Sequence, residues 1–188
     1  AFAILIWSAV FFTRYRRENR PILLYAAAAL LVLAMYTKLT ACFMVIAFVG
    51  TLIAERRTML LRDRHTWIIL LLAIVSLIPL IVVTVKFGQA NIQSVTGVAD
   101  AAASRKTLAG WLWYLRQIPD QLGWPLATST AIASVLALAR RNRAELTGHD
   151  FLFWLLWICS GYRWFSAIYL KEARHSIFIL PPLVLSAV

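Results

Sequence analysis

The fold class that the sequence predicts is an all-α integral membrane protein. Of its 188 residues, 62% are hydrophobic and only 14% are charged. Long runs almost free of charge alternate with short basic clusters, and a chain of this length cannot enclose such runs in a soluble core. We therefore expect a single transmembrane domain over residues 1–188, with about seven transmembrane segments (the first and last truncated) and one extracytoplasmic amphipathic interfacial helix.

The apolar runs define these segments in chain order. One helix over residues 22–54 would measure ~50 Å against a hydrocarbon core of ~30 Å, so we expect two helices that meet near Lys38. The first and last runs are shorter than the ~20 residues that a spanning helix needs, which indicates an internal fragment of a longer protein. The predicted segments cover residues 1–12, 22–54 (two helices), 67–85, 125–139, 151–169 and 176–188.

The basic residues predict the orientation of the segments. Three short loops, at residues 13–20, 55–65 and 140–150, carry 11 of the 19 Lys and Arg residues. By the positive-inside rule these Arg-rich loops face the cytoplasm. Lys38, the long segment 87–123 and the cluster 171–175 then lie on the extracytoplasmic side of what we expect to be the plasma membrane of a bacterium or archaeon.

Segment 87–123 is predicted to be an extracytoplasmic loop that contains a helix. Between residues 106 and 122 apolar residues recur at helical spacing, and aromatic residues typical of the head-group level accompany them. We expect this helix to lie flat on the outer membrane surface. Whether it only anchors the neighbouring spans or also lines a substrate site remains open. The aromatic residues are Trp111, Trp113, Tyr114 and Trp124.

Composition also excludes several classes of function. The net charge of +11 comes from clusters between apolar runs, and not from one basic face, so we expect no nucleic-acid partner. Both cysteines lie in apolar runs, which does not indicate a disulfide framework. The three histidines lie far apart without further ligands at metal-binding spacing, and we predict no metal and no cofactor.

Two charged positions could carry a function. Lys171, Glu172, Arg174 and His175 crowd between two apolar runs, where they could either meet an anionic lipid head group or form a plain boundary turn. Lys38 stands between two apolar helices, where an ammonium group costs ~2.5–3.5 kcal/mol at the bilayer centre. It could snorkel to the boundary or bind a phosphate, whose opposite charge would offset that cost.

Both positions resemble motifs of one enzyme group. The residues Lys-Glu-Ala-Arg-His at 171–175, followed by Leu-Pro-Pro-Leu at 180–183, resemble the closing motif of membrane-embedded glycosyltransferases. These are the protein mannosyltransferase and aminoarabinose transferase type (family 39-like, C-type fold). Lys171, Glu172 and Arg174 match this motif, whereas His175 stands where Tyr is common. Thr-Lys-Leu-Thr at 37–40 resembles a second element of the same group.

The resemblance implies transfer of a sugar from a polyprenyl-phosphate donor to an extracytoplasmic lipid, glycan or protein acceptor, with membrane lipids as surroundings. It implies that Lys38, Lys171 and Arg174 hold the carrier phosphate, that Glu172 orients Lys171 or Arg174, and that His175 adds a hydrogen bond to the phosphate. The family's catalytic aspartate lies in an earlier outer loop, so we assign no catalytic residue and expect the fragment alone to be inactive. The alternative is a multi-span transporter or lipid flippase without transferase activity.

Overall fold

The structure, a computed structural model, describes residues 2–56, 63–89, 107–140 and 148–168. Within these ranges all regular secondary structure is helical and no strand occurs, which confirms the predicted all-α class. The chain divides into two compact units, Ala1–Gln89 and Ala90–Val188. The helices are α1 (Phe2–Glu18), α2 (Pro21–Thr37), a 3-10 turn (Leu39–Cys42), α3 (Phe43–Arg56), α4 (Arg64–Phe87), α5 (Leu108–Leu122), α6 (Trp124–Arg140) and α7 (Gly148–Ala167).

Helices α1 and α2 form an antiparallel hairpin. Asn19 adopts a positive φ of 54° in the connection, a conformation that asparagine tolerates better than most residues, and Pro21 starts α2. The buried hydroxyl of Ser8 donates a hydrogen bond of 2.7 Å to the carbonyl oxygen of Ala27 across the hairpin. This bond satisfies a polar group that would otherwise be costly inside an apolar interface.

Helix α3 returns alongside α1 and runs parallel to it. The rings of Phe12 and Phe48 stack with centroids 4.0 Å apart. Further along both helices, Arg16 donates to both carboxylate oxygens of Glu55, through Nε at 3.0 Å and through Nη2. Because α3 follows the direction of α1, it is antiparallel to α2, so the chain reverses at Lys38. The basic ends of α1 and α3 therefore lie at the same end of the unit.

Helix α4 is the longest helix in the described ranges, with 24 residues. Its first turn is capped by Asp63, whose side chain accepts a hydrogen bond of 3.0 Å from the amide of His65. Among the described residues it is the one helix long and apolar enough to cross a membrane, while Pro21–Thr37 and Leu39–Glu55 are shorter apolar helices. The count of seven segments stays a prediction, and the last predicted segment lies outside the described residues.

The second unit contains the helix that the long loop was predicted to form. Thr107 caps α5 by accepting a hydrogen bond of 3.2 Å from the amide of Gly110. Tyr114 is fully buried, with its ring edge-on to Phe165 of α7. The hydroxyl of Tyr162 donates to the carbonyl oxygen of Trp111. The predicted helix is thus confirmed over residues 108–122, and its position on the membrane surface stays a prediction.

Candidate functional site

The structure describes one of the five predicted site residues. Lys38 forms the connection between α2 and the 3-10 turn, as the length argument predicted. Lys171, Glu172, Arg174 and His175 lie outside the described residues. That they meet Lys38 at one site therefore remains a prediction.

Local hydrogen bonds end α2 at Thr37. Lys38 is extended (φ −156°, ψ 109°), and its amide still donates a hydrogen bond of 2.9 Å to the carbonyl oxygen of Ala34. The hydroxyl of Thr37 donates to the same oxygen at 2.7 Å. The carbonyl group of Ala34 thus receives the last backbone hydrogen bond of the helix and a second one from the Thr37 side chain. This arrangement holds Lys38 at the tip of the α2–α3 hairpin.

A new helical segment starts directly after Lys38. The amide of Ala41 donates a hydrogen bond of 2.9 Å to the carbonyl oxygen of Lys38, which makes Leu39 and Thr40 the first residues of that segment. Their amides precede the first intrahelical bond and are the groups that bind anions at helix starts. The buried Oγ1 of Thr40 finds no hydrogen-bond partner among the residues that the structure describes. The turn therefore combines one half-buried lysine residue, two amides and one hydroxyl.

The depth of this turn follows from two contacts between α2 and α4. Tyr25 Oη lies 3.2 Å from Nδ1 of His65, and the hydroxyl of Tyr36 donates a hydrogen bond of 2.5 Å to the carbonyl oxygen of Ser76. Both pairs are separated by 40 residues, so the two helices run parallel and in register. Tyr36 is close to the end of α2, whereas Ser76 is halfway along α4.

Lys38 consequently lies level with the middle of α4, and not with its end. Residues 77–87 of α4 continue past that level for ~16 Å at 1.5 Å per residue. A Lys side chain cannot extend that far. If α4 crosses the bilayer, the turn lies below the membrane surface, where a cation is costly and a bound anion is favoured.

Sequence reasoning missed two parts of this arrangement. The unpartnered hydroxyl of Thr40 belongs to the Thr-Lys-Leu-Thr element, but only the fold shows that this oxygen is buried. The hydrogen bond from Tyr36 to the carbonyl oxygen of Ser76 could not be predicted, because every residue has a backbone carbonyl group. Across the part of the chain that the structure describes, no group of three His, Cys, Asp or Glu side chains could hold a metal ion.

These features define an apolar helical hairpin with a cation at its tip, beside one helix long and apolar enough to cross a membrane. Residues 1–83 match the model of a family described as dolichyl-phosphate-mannose-protein mannosyltransferase. The match covers α1 to α3 and most of α4, including the Lys38 turn, and it confirms the family resemblance predicted from the sequence. Over these residues the chain is similar to a family of membrane glycosyltransferases. No curated protein and no solved structure matches the chain.

Proposed function

We propose that the chain is part of a membrane glycosyltransferase that moves a sugar from a polyprenyl-phosphate donor to an extracytoplasmic lipid, glycan or protein acceptor. The family match over the segment that contains Lys38 is the observation that carries this proposal. The Lys38 turn supports it, because an ammonium group and the amides of a helix start suit a phosphate.

The role of the cations follows from the bond that breaks. When the acceptor hydroxyl attacks the sugar, the bond from the anomeric carbon to the phosphate oxygen breaks, and the phosphate leaves with the bonding electrons. A fixed cation stabilises this developing negative charge more than it stabilises the intact donor. Lys38, Lys171 and Arg174 are proposed for this role, with Glu172 and His175 orienting the phosphate and the cations. The base that takes the proton of the acceptor is not assigned.

The form of the hairpin favours a transferase over the transporter or flippase. Transporters typically place their sites where a helix breaks and then continues in the same direction. Here the chain reverses at Lys38, since α3 is antiparallel to α2, and the two helices form a closed hairpin with the cation at its tip. A cation in this position suits a phosphate group held at the tip of the α2–α3 hairpin.

The experiment is turnover of a polyprenyl-phosphate sugar by the full-length protein in membranes. We expect Lys38→Ala, Lys171→Ala and Arg174→Ala each to lower turnover by ~100-fold or more, the cost of removing one group that stabilises transition-state charge. Lys86→Ala is the matched control, because Lys86 is an exposed cation in the last turn of α4 and has no proposed role. Full turnover in the three site variants, with the protein inserted, would contradict the phosphate role.

A further inference from the structure

Helices α2 and α4 contact each other through polar groups at two points and leave a groove between them. The groove has a volume of about 540 Å³ and is framed by Tyr25 at one end and Tyr36 at the other. The alanines at positions 28, 29 and 73 have small side chains that leave the backbones of the two helices uncovered. Branched side chains such as Val32 and Ile69 form the walls of the groove. An apolar groove of this kind on a helix that can cross a membrane is open to hydrocarbon.

The length of the groove suits one hydrocarbon chain as its occupant. Tyr36 lies 11 residues after Tyr25, which corresponds to ~16 Å of helix, about half of a ~30 Å hydrocarbon core and thus about one leaflet. An extended acyl chain of one leaflet matches this length, and apolar side chains line the groove between its two ends.

The positive charge at the Tyr25 end of the groove indicates where an anionic head group would lie. At the Tyr25 end, α2 and α4 both begin, so the positive ends of two parallel helix dipoles meet there. Arg20 precedes α2 and Arg64 starts α4, and both are exposed. The carboxylates nearby are already engaged, since Asp63 accepts from the amide of His65 and the hydroxyl of Thr66. Glu18 forms a hydrogen bond of 2.9 Å with Arg14, whereas Arg20 lies 3.8 Å from it, beyond hydrogen-bond distance, and is 73% exposed.

The other end of the groove is closed in a different way. The hydroxyl of Tyr36 is bonded to the carbonyl oxygen of Ser76, and the Lys38 turn follows beyond it. This end therefore lies at the depth of the middle of α4, where the terminal methyl group of a chain in one leaflet would end. The lipid phosphate belongs at the Arg20 and Arg64 end, one leaflet away from Lys38.

We propose that this groove binds one acyl chain of an anionic membrane phospholipid, with its phosphate at Arg20 and Arg64. The bound lipid is a structural component of the α2–α4 pair, distinct from the glycosyl donor. It fills the space that the alanines leave and adds to the polar contacts at Tyr25 and Tyr36 that hold α4 against α2. Binding does not depend on transferase activity.

The test uses the full-length protein in vesicles of phosphatidylglycerol and phosphatidylcholine that contain a phosphatidylglycerol with a photoreactive acyl chain. We expect cross-links to map to residues 28–36 and 69–76. Ala73→Phe fills the groove and should remove most of this labelling, while Val75→Phe, an exposed position on α4 that does not line the groove, should keep it. Arg64→Gln should lower the preference for phosphatidylglycerol over phosphatidylcholine about fivefold, the contribution of one basic residue at an anionic surface.

Three results would overturn the proposal. Equal labelling of the Ala73→Phe and Val75→Phe proteins would show that lipid contacts α4 without entering the groove. Equal labelling by phosphatidylglycerol and phosphatidylcholine analogues in the unaltered protein would remove the anionic head group from the site. Absence of labelling at residues 28–36 and 69–76, together with cross-links from these residues to another segment of the protein, would show that protein fills the groove. A thermal stability measurement on each variant confirms that it is folded.

Discussion

At the residue scale, Arg16 and Glu55 form a buried ion pair that joins α1 to α3 in the first unit. Their side chains are 2% and 11% exposed, and the guanidinium group bonds both carboxylate oxygens. Removal of one partner leaves an uncompensated charge in a buried place, which typically costs ~3–5 kcal/mol. We therefore expect Glu55→Ala to lower the free energy of unfolding by this amount, measured by reversible denaturation of the protein in mixed micelles.

The exposed ion pair on the same helix is the matched control. Arg14 and Glu18 are 54% and 32% exposed, so Glu18→Ala should change the free energy of unfolding by ~1 kcal/mol at most. The double variant Arg16→Met with Glu55→Leu removes both buried charges and should recover most of the loss. Equal effects of Glu55→Ala and Glu18→Ala would mean that the Arg16–Glu55 pair is solvated in the membrane-inserted protein.

A substitution at Thr40 distinguishes a role of this residue in stability from a role in substrate binding. Its buried Oγ1 has no partner among the described residues, so Thr40→Val should leave the free energy of unfolding unchanged or raise it. If this hydroxyl donates to the carrier phosphate, the same change should raise the KM for the polyprenyl-phosphate sugar by ~10–100-fold, the value of a hydrogen bond to a charged group. A stable variant with an unaltered KM would exclude Thr40 from the phosphate site.

Sequence reasoning could identify some of these residues, but it could not predict their partners. Lys38 stands out in any apolar run, because a charge there is costly. The pairing of Arg16 with Glu55 could not be predicted, since the sequence places both residues in predicted basic loops with several candidate partners. The missing hydrogen-bond partner of the Thr40 oxygen could not be predicted either. No spacing pattern shows whether a polar residue at a turn is buried.

At the element scale, the lengths of α2 and α4 predict different depths for Lys38 and Lys86. The structure sets Tyr36 level with Ser76, and Lys86 lies ten residues, or ~15 Å, further along α4. In a protein with other cysteines removed, a fluorophore at a Lys38→Cys site should be quenched best by lipids brominated deep in their chains. The same probe at Lys86→Cys should respond best to lipids brominated near the head group.

Equal quenching depth at the two positions would contradict this geometry. It would mean that α4 is strongly tilted or extends beyond the bilayer, so that the hairpin tip reaches the surface. A probe at Ser129, an exposed residue of α6 that is not involved in the argument, controls for effects of the label itself.

Element positions were largely predictable, whereas their pairing was not. The helix break near Lys38 followed from comparing 33 residues with the bilayer thickness, and α5 followed from the spacing of its apolar residues. The groove between α2 and α4 could not be predicted, because α2 is apolar on all sides and its pattern does not show which face meets a neighbour. The contact of Tyr114 with Phe165 likewise requires the relative placement of α5 and α7.

At the scale of the whole molecule, two kinds of information agree on the first part of the chain. The charge pattern predicted that the Arg-rich ends at residues 13–20 and 55–65 share one side, and the Arg16–Glu55 and Tyr25–His65 contacts bring these ends together. The family match covers the same helices. The cytoplasmic assignment of that side remains a prediction, as do the charged cluster 171–175 and its distance from Lys38.

The central claim is that Lys38, Lys171 and Arg174 bind the phosphate of a polyprenyl carrier. The most direct measurement compares binding of a polyprenyl phosphate with that of the same polyprenol without phosphate, by the full-length protein in detergent. We predict that the unaltered protein and Lys86→Ala strongly prefer the phosphate, and that Lys171→Ala with Arg174→Ala loses most of this preference. An unchanged preference in that folded double variant would contradict the account and leave residues 171–175 as a boundary turn.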